Sequence, residues 1–140
     1  MVDVVVVSSE TTKNLYYLSP GDIDLKVGDN VVFETDNGLL VGSVRKEKYQ
    51  ENNKNLDMPL FKVLRLVNKE DQKVLKDNNG IAEKALVDAK KMSSSLNLNM
   101  NFVDAYYYFD RSQLVFSFLA EDRVDFRELA KKLASKYKTR

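Results

Sequence analysis

Any chemistry done by this chain would have to rely on Asp, Glu, Lys, Ser or Tyr. Its 140 residues include no cysteine and no histidine. That removes disulfides, thiolate and imidazole metal ligands, cysteine nucleophiles and histidine general bases in one step. An acidic cluster, Asp22, Asp24 and Asp29, stands around a Pro20-Gly21 turn. A Mg²⁺ or Ca²⁺ site needs several oxygens converging from one loop. The D-x-D-x-D-G calcium pattern is absent, and Asp beside Gly or Pro-Gly is ordinary turn chemistry. No nucleophile–base pair and no phosphate-cradling glycine loop stands out. Neither a catalytic residue nor a metal ligand is therefore assigned, and the chain is not expected to be an enzyme.

Other residue groups suit binding. On the segment NFVDAYYYFD (101–110), strand alternation puts Val103, Ala105, Tyr107 and Phe109 on one face and Asp104, Tyr106 and Tyr108 on the other. On the next strand Leu114, Phe116 and Phe118 share a face, with Val115 and Ser117 opposite. If helices cover the first set, Tyr106, Tyr108 and Val115 lie on an open sheet where aromatics could stack on RNA bases. The competing reading packs them against the barrel or a partner subunit, the half-wet setting tyrosine favours. Arg123, Arg127, Lys131 and Lys132 form a candidate basic strip near the last helix, although most such helix charges are simply solvated. The polar stretch KEKYQENNKNLD (46–57) reads as an exposed loop carrying Lys46, Lys48, Tyr49 and Lys54, its acids offsetting its lysines.

The elements that must position these residues fall in two halves. VDVVVV is a β-branched strand buried on both faces, NLYYLS a second strand, and SPGD a tight turn. In DLKVGDNVVFETDNGLLVGSV, Val31 and Phe33 alternate with outward positions, and Leu39, Val41 and Ser43 continue the pattern after the turn. Asp36-Asn37-Gly38 between them supplies the positive-φ residues of a hairpin. Residues 1–58 thus read as a small SH3-like or split β-barrel, and residues 59–140 as a second subdomain. There PLFKVLRLV is a strand, and Asn68 offers a helix N-cap with acids in the first turn. Asn78-Asn79-Gly80 breaks that helix. A second helix runs from Ile81 to Ser94, with Ile81, Ala85, Ala89, Met92 and Leu96 as its apolar stripe. Two strands and a final helix follow, a ferredoxin-like β-α-β-β-α unit short of its last strand. The final helix carries Asp125 and Glu128 at the spacing of a capping box, flanked by Val124 and Leu129 as a hydrophobic staple. Phe126, Leu129, Ala130, Leu133 and Tyr137 form its buried face.

Lysine plus arginine exceed the acids by one, 22 against 21, so bulk charge makes no case for nucleic acid or an anionic membrane. The apolar start MVDVVVVSSE is too short to span a bilayer and lacks a signal peptide's basic region and cleavage site. A cytoplasmic location is expected.

PGDIDLKVGDNVVFET, the G-x-V after the hairpin, FD-x-S between the late strands, and RVDFREL followed by KTR together resemble one family. It is the polymerase-suppressor C-terminal-like domain family of RicT (YaaT)-like proteins. The resemblance implies a non-catalytic regulatory subunit whose protein partners are RicA- and RicF-like subunits. Their complex affects RNA processing by a membrane-bound, RNase Y-like endoribonuclease and bears on sporulation, competence and biofilm formation. The alternative is a direct single-stranded RNA-binding module using the tyrosine face. RicT-like chains continue past KTR with another strand and a cysteine-bearing segment linked to an iron–sulfur cluster. Both are missing from this sequence, as a cut domain or a shortened relative would explain, and no cofactor is expected. Without the extra strand, a sheet edge should stay open and support self-association, unless VDVVVV folds across it.

Overall fold

A computed structural model describes residues 1–55 and 60–140, and it is α+β. The chain divides into two compact units, Met1–Gln72 and Lys73–Arg140. The boundary expected at 58/59 lies outside the described residues, as do Asp57 of the expected loop and Pro59 of the expected strand.

Five strands close the barrel of the first unit: β1 (Val2–Ser8), β2 (Leu15–Ser19), β3 (Asn30–Thr35), β4 (Gly38–Glu51) and β5 (Phe61–Leu66), in the order β1-β2-β5-β3-β4. Val5, Val7, Tyr16, Leu18, Val31, Phe33, Leu40 and Val44 are buried, with the Tyr16 and Phe33 rings 5.0 Å apart. Burying each large aliphatic or aromatic side chain contributes roughly 1.5–3 kcal/mol. Four expectations need correcting here. On β4 the buried set is Leu40, Gly42 and Val44 rather than Leu39, Val41 and Ser43. Phe33 pairs with Leu40 and Val31 with Gly42, and a register one residue away exchanges the two faces. In the hairpin loop only Gly38 has positive φ. Residues 46–51 are not loop but the second half of β4, because β1 runs antiparallel to them from Val2↔Glu51 to Val6↔Lys46. Finally, β5, expected to open the second subdomain, completes the barrel between β2 and β3.

Helix α1 (Lys69–Ser95) is continuous for 27 residues, about 40 Å at 1.5 Å per residue. Asn68 Oδ1 accepts the Asp71 N–H (2.9 Å) and Asp71 Oδ2 accepts the Asn68 N–H (3.0 Å). This reciprocal pair is a capping box with Asn and Asp in the two roles. The expected break at Asn78-Asn79-Gly80 does not occur. Asn78 is buried and its amide is bonded to other elements, while Gly80 lies on an exposed turn of the helix.

In the second unit β6 (Asn101–Tyr107) pairs antiparallel with β7 (Leu114–Leu119), and α2 (Arg127–Tyr137) follows. Ala89 of α1, Phe102 of β6 and Leu129 and Leu133 of α2 form one buried cluster. Eleven residues are too few for a stable isolated helix, so α2 depends on those two leucines. The order β-α-β-β-α is present with its first strand in the barrel, leaving a two-stranded sheet here. β1 does not pair with that sheet: β2 and β4 occupy both its edges in the barrel.

Candidate interaction surface

The sequence motifs converge on architecture. In KVGD, Gly28 sits at φ 94°, a region open to glycine. Its N–H donates to the Val44 carbonyl (2.9 Å), and the Val44 N–H donates to the Asp29 carbonyl (2.8 Å). The turn thereby clasps the G-x-V of β4. Gly42 of that motif has no room for a Cβ, which would meet Val7 Cγ1 at 2.4 Å and the Ser8 carbonyl oxygen at 2.6 Å. Glycine is needed for β1 to pack this closely on β4.

FD-x-S and KTR, far apart in sequence, meet in the second unit. Asp110 accepts the Ser112 N–H and hydroxyl (3.3 and 2.7 Å), and Arg111 takes a left-handed φ of 59°. The Thr139 hydroxyl donates to the Arg111 carbonyl (3.0 Å), and the Leu114 N–H donates to the Arg140 carbonyl (2.7 Å). Lys138, at φ 53°, is the left-handed C-cap that turns the tail there. From α1, Asn78 Nδ2 donates to the Phe109 carbonyl (3.2 Å) and Asn78 Oδ1 accepts Arg111 Nε–H (2.7 Å). Sequence reasoning missed Asn78. Its only signal was a polar residue one helical turn before the small-residue face of Ala82, Ala85 and Ala89.

A second clasp joins the helices of this unit. Asp88 accepts hydrogen bonds from Lys136 Nζ (2.6 Å) and from the Tyr137 hydroxyl. Burial, and then the Asp88 carboxylate that accepts its proton, push the Tyr137 phenol up to about 12. It therefore donates throughout the neutral range. In the first unit the Arg65 guanidinium forks onto Asp71, with Nη2–Oδ1 at 2.9 Å. That contact, followed by the Asn68 N–H, holds the Asp71 carboxyl below the ordinary carboxylate range against the opposing effect of burial.

The residues singled out for binding are placed as follows. Tyr106 and Val115 are cross-strand partners on the face opposite Phe116, as expected, and both are half-buried. Tyr108 is not on an open face: it lies beyond the end of β6, is only 7 % exposed, and tilts against Tyr106 with centroids 6.3 Å apart. Val103, expected on the inner face, is 54 % exposed, because the register slips between Phe102 and Asp104 and leaves it as the extra residue of a bulge. Arg127 is drawn onto Asp125, with Nε–Oδ1 at 2.9 Å and Nη2–Oδ2 at 2.8 Å, and Lys132 stands 3.9 Å from Glu128. Arg123 and Lys131 are exposed, and the strip as a whole is interleaved with acids.

The helix cap expected from Asp125 and Glu128 is not formed. Helix α2 starts at Arg127 with Phe126 as N-cap and no side-chain cap bond. Asp125 is engaged by the Arg127 side chain and N–H, which hold its carboxyl down at about 2. Phe126 is consequently 45 % exposed, while Leu129 enters the core.

The acids of the PGD turn do not gather either. Asp22 and Asp24 line a hollow with Asp3 and Lys48, whereas Asp29 turns back to accept the Lys26 N–H (2.9 Å). Among the described residues no group of three or more His, Cys, Asp or Glu side chains is placed to hold a metal ion. An iron–sulfur cluster does not fit the residues present, since the chain has no cysteine.

What remains open is apolar. Two adjoining hollows of about 110 and 170 Å³ run between β7 and α2 and share Phe116, Ala130 and Leu133. At one end of these hollows the exposed Phe126 packs its ring edge-on to Phe118 at 5.7 Å. A contiguous apolar surface of this kind, on a structured edge, is typical of protein–protein contact.

Comparison with known proteins agrees with the motif reading. Over its full length the chain is 34 % identical to "Stage 0 sporulation protein YaaT" of Bacillus subtilis (strain 168), spanning 51 % of that protein. Over 47 residues, 34 % of the chain, it is 45 % identical to "Protein PSP1" of Saccharomyces cerevisiae (strain ATCC 204508 / S288c), covering 6 % of that protein. The chain thus spans about half the length of its bacterial relative. No solved structure gives a significant match. The model of the PSP1 C-terminal conserved region matches residues 61–140, from β5 to the KTR tail, and the chain belongs to that family.

Proposed function

We propose that this chain is a non-catalytic, cytoplasmic regulatory adaptor. In this reading it joins RicA- and RicF-like subunits in a complex that modulates RNA processing by an RNase Y-like endoribonuclease, with consequences for sporulation. The observation that carries the reading is the match to the sporulation protein YaaT along all 140 residues. The geometry supports it, because the motif residues hold turns and strand ends together while the exposed apolar surface lies between β7 and α2. Among the described residues no helix is long and apolar enough to cross a membrane, so contact with a membrane-bound nuclease would run through protein surface. Direct RNA stacking on Tyr106 and Tyr108 is the competing reading, and the burial of Tyr108 weighs against it.

The test is co-purification of RicA- and RicF-like proteins with the chain, with and without nuclease, across a salt series. An adaptor retains its partners after nuclease treatment and at high salt. Loss of partners with nuclease, or an RNA affinity falling steeply with salt, would overturn the reading in favour of RNA binding.

A further inference from the structure

We infer that Asn37-Gly38, at the tip of the β3–β4 hairpin, is a self-modification site where the asparagine amide is lost to water, leaving isoaspartate or aspartate in the loop. The chain holds two Asn-Gly dipeptides, Asn37-Gly38 and Asn79-Gly80. In both, glycine lacks the Cβ that would hinder attack of its backbone nitrogen on the preceding side chain. The reaction balances with water alone. The glycine nitrogen bonds to the asparagine Cγ, ammonia leaves carrying the displaced proton, and a succinimide ring results. Water then opens the ring. Opening at the main-chain carbonyl gives isoaspartate, and opening at the former side-chain carbonyl gives aspartate.

The fold separates the two sites. Asn79 and Gly80 are exposed, so water reaches them, yet they lie inside α1. Ring closure turns the asparagine backbone away from the helical ψ of about −42°. The helical ladder also commits the Gly80 N–H to the Lys76 carbonyl. Reaction there requires α1 to open in mid-length, beside the bonds Asn78 makes to Phe109 and Arg111. Asn37 is exposed too, but it stands in a two-residue loop closed by the Thr35–Gly38 pair, the last of the β3–β4 ladder. The Thr35 hydroxyl donates to the Gly38 carbonyl (2.7 Å) and accepts the Asn37 N–H (3.2 Å), and neither contact occupies the Gly38 nitrogen. A ladder end opens at far less cost than the middle of a long helix, which frees the loop to close the ring. Gly38 sits at φ 146°, a conformation open to glycine, so the turn itself requires the residue that makes Asn37 reactive. Isoaspartate adds a main-chain carbon inside this short loop, and either product sets a second carboxylate beside Asp36. The hairpin tip is thereby loosened and recharged.

Peptide mapping by mass spectrometry reads both sites in one digest. The folded chain is incubated at physiological temperature in mildly alkaline buffer, which favours loss of the glycine N–H proton. The expected result is amide-to-acid conversion at Asn37, with a chromatographically separate isoaspartyl peptide. Conversion at Asn79 should be slower by about tenfold or more. In denaturing urea the two rates should converge, since only the shared dipeptide then matters. N37Q closes the ring far less readily because of its extra methylene. It should keep the circular dichroism spectrum of the parent and fail to form the acidic species. No conversion at Asn37, equal rates at the two sites in the folded chain, or a difference that persists undiminished in urea would each overturn the inference.

Discussion

The segment Asn78-Asn79-Gly80 offers the sharpest test of how this fold is held. All three residues are poor helix formers, yet they lie inside α1. Asn78 is 3 % exposed; Asn79 and Gly80 are exposed. Replacing Asn78 by Ala removes the amide bond to the Phe109 carbonyl at 3.2 Å, worth about 0.5–1.5 kcal/mol net. It also removes the charge-assisted bond from Arg111 at 2.7 Å, worth about 1.5–3 kcal/mol and nearer the lower figure because Arg111 can turn to water. Alanine's better helix propensity returns roughly 0.6 kcal/mol. The net expectation is a loss of about 1.5–3 kcal/mol. Asn79→Ala gains only the propensity, so it should stabilise by about 0.5 kcal/mol. Gly80→Ala should stabilise by about 0.5–1 kcal/mol, since a Cβ there meets nothing within 4 Å. Urea unfolding of the three variants, followed by circular dichroism, reads the signs directly. Amide exchange at Leu114 should accelerate only in Asn78→Ala, as the turn bearing Arg111 loosens. If Asn78→Ala proves as stable as Asn79→Ala, the clamp on the β6–β7 turn contributes nothing and the account of FD-x-S fails.

Gly42→Ala should cost about 1–3 kcal/mol by forcing β1 away from β4, because the new methyl would meet the Ser8 backbone as well as Val7; an unchanged unfolding midpoint would contradict that close approach. Asp71 has a folded pKa below its unfolded value, so its contribution is full above about pH 3.9 and is lost as pH falls through the folded pKa. Asp71→Asn should therefore lower stability at neutral pH and narrow its gap to the wild type on acidification, as measured by urea midpoints against pH. Tyr137 is raised instead, so its contribution is complete below its unfolded pKa near 10 and fades as pH rises towards 12. In an alkaline absorbance titration of the seven tyrosines, a phenol ionising near 12 should disappear in Tyr137→Phe.

The sequence alone determined what depends on residue type and short spacing. Absent thiols and imidazoles are a matter of composition, and they exclude that chemistry under any fold. The β-branched run of β1, the hairpin around Gly38, the Asn68 cap and the turn at Asp110–Ser112 rest on local backbone preferences. Each appears where its residues stand. Motif residues also named the family, although not what those residues do. Tertiary structure decided everything that required a partner distant in sequence. Asn78 reads as a helix breaker until the Phe109 carbonyl and Arg111 satisfy its amide. Lys46–Glu51 reads as loop until β1 supplies its ladder, and β5 could join either sheet until β2 and β3 take it. Asp125 is a local exception, since Arg127, only two residues on, takes the carboxylate with two charged bonds. Local propensities of a few tenths of a kcal/mol per residue yield to one or two hydrogen bonds formed across the fold, each worth about 0.5–1.5 kcal/mol or more. The elements were therefore legible in the chain, and their partners were not.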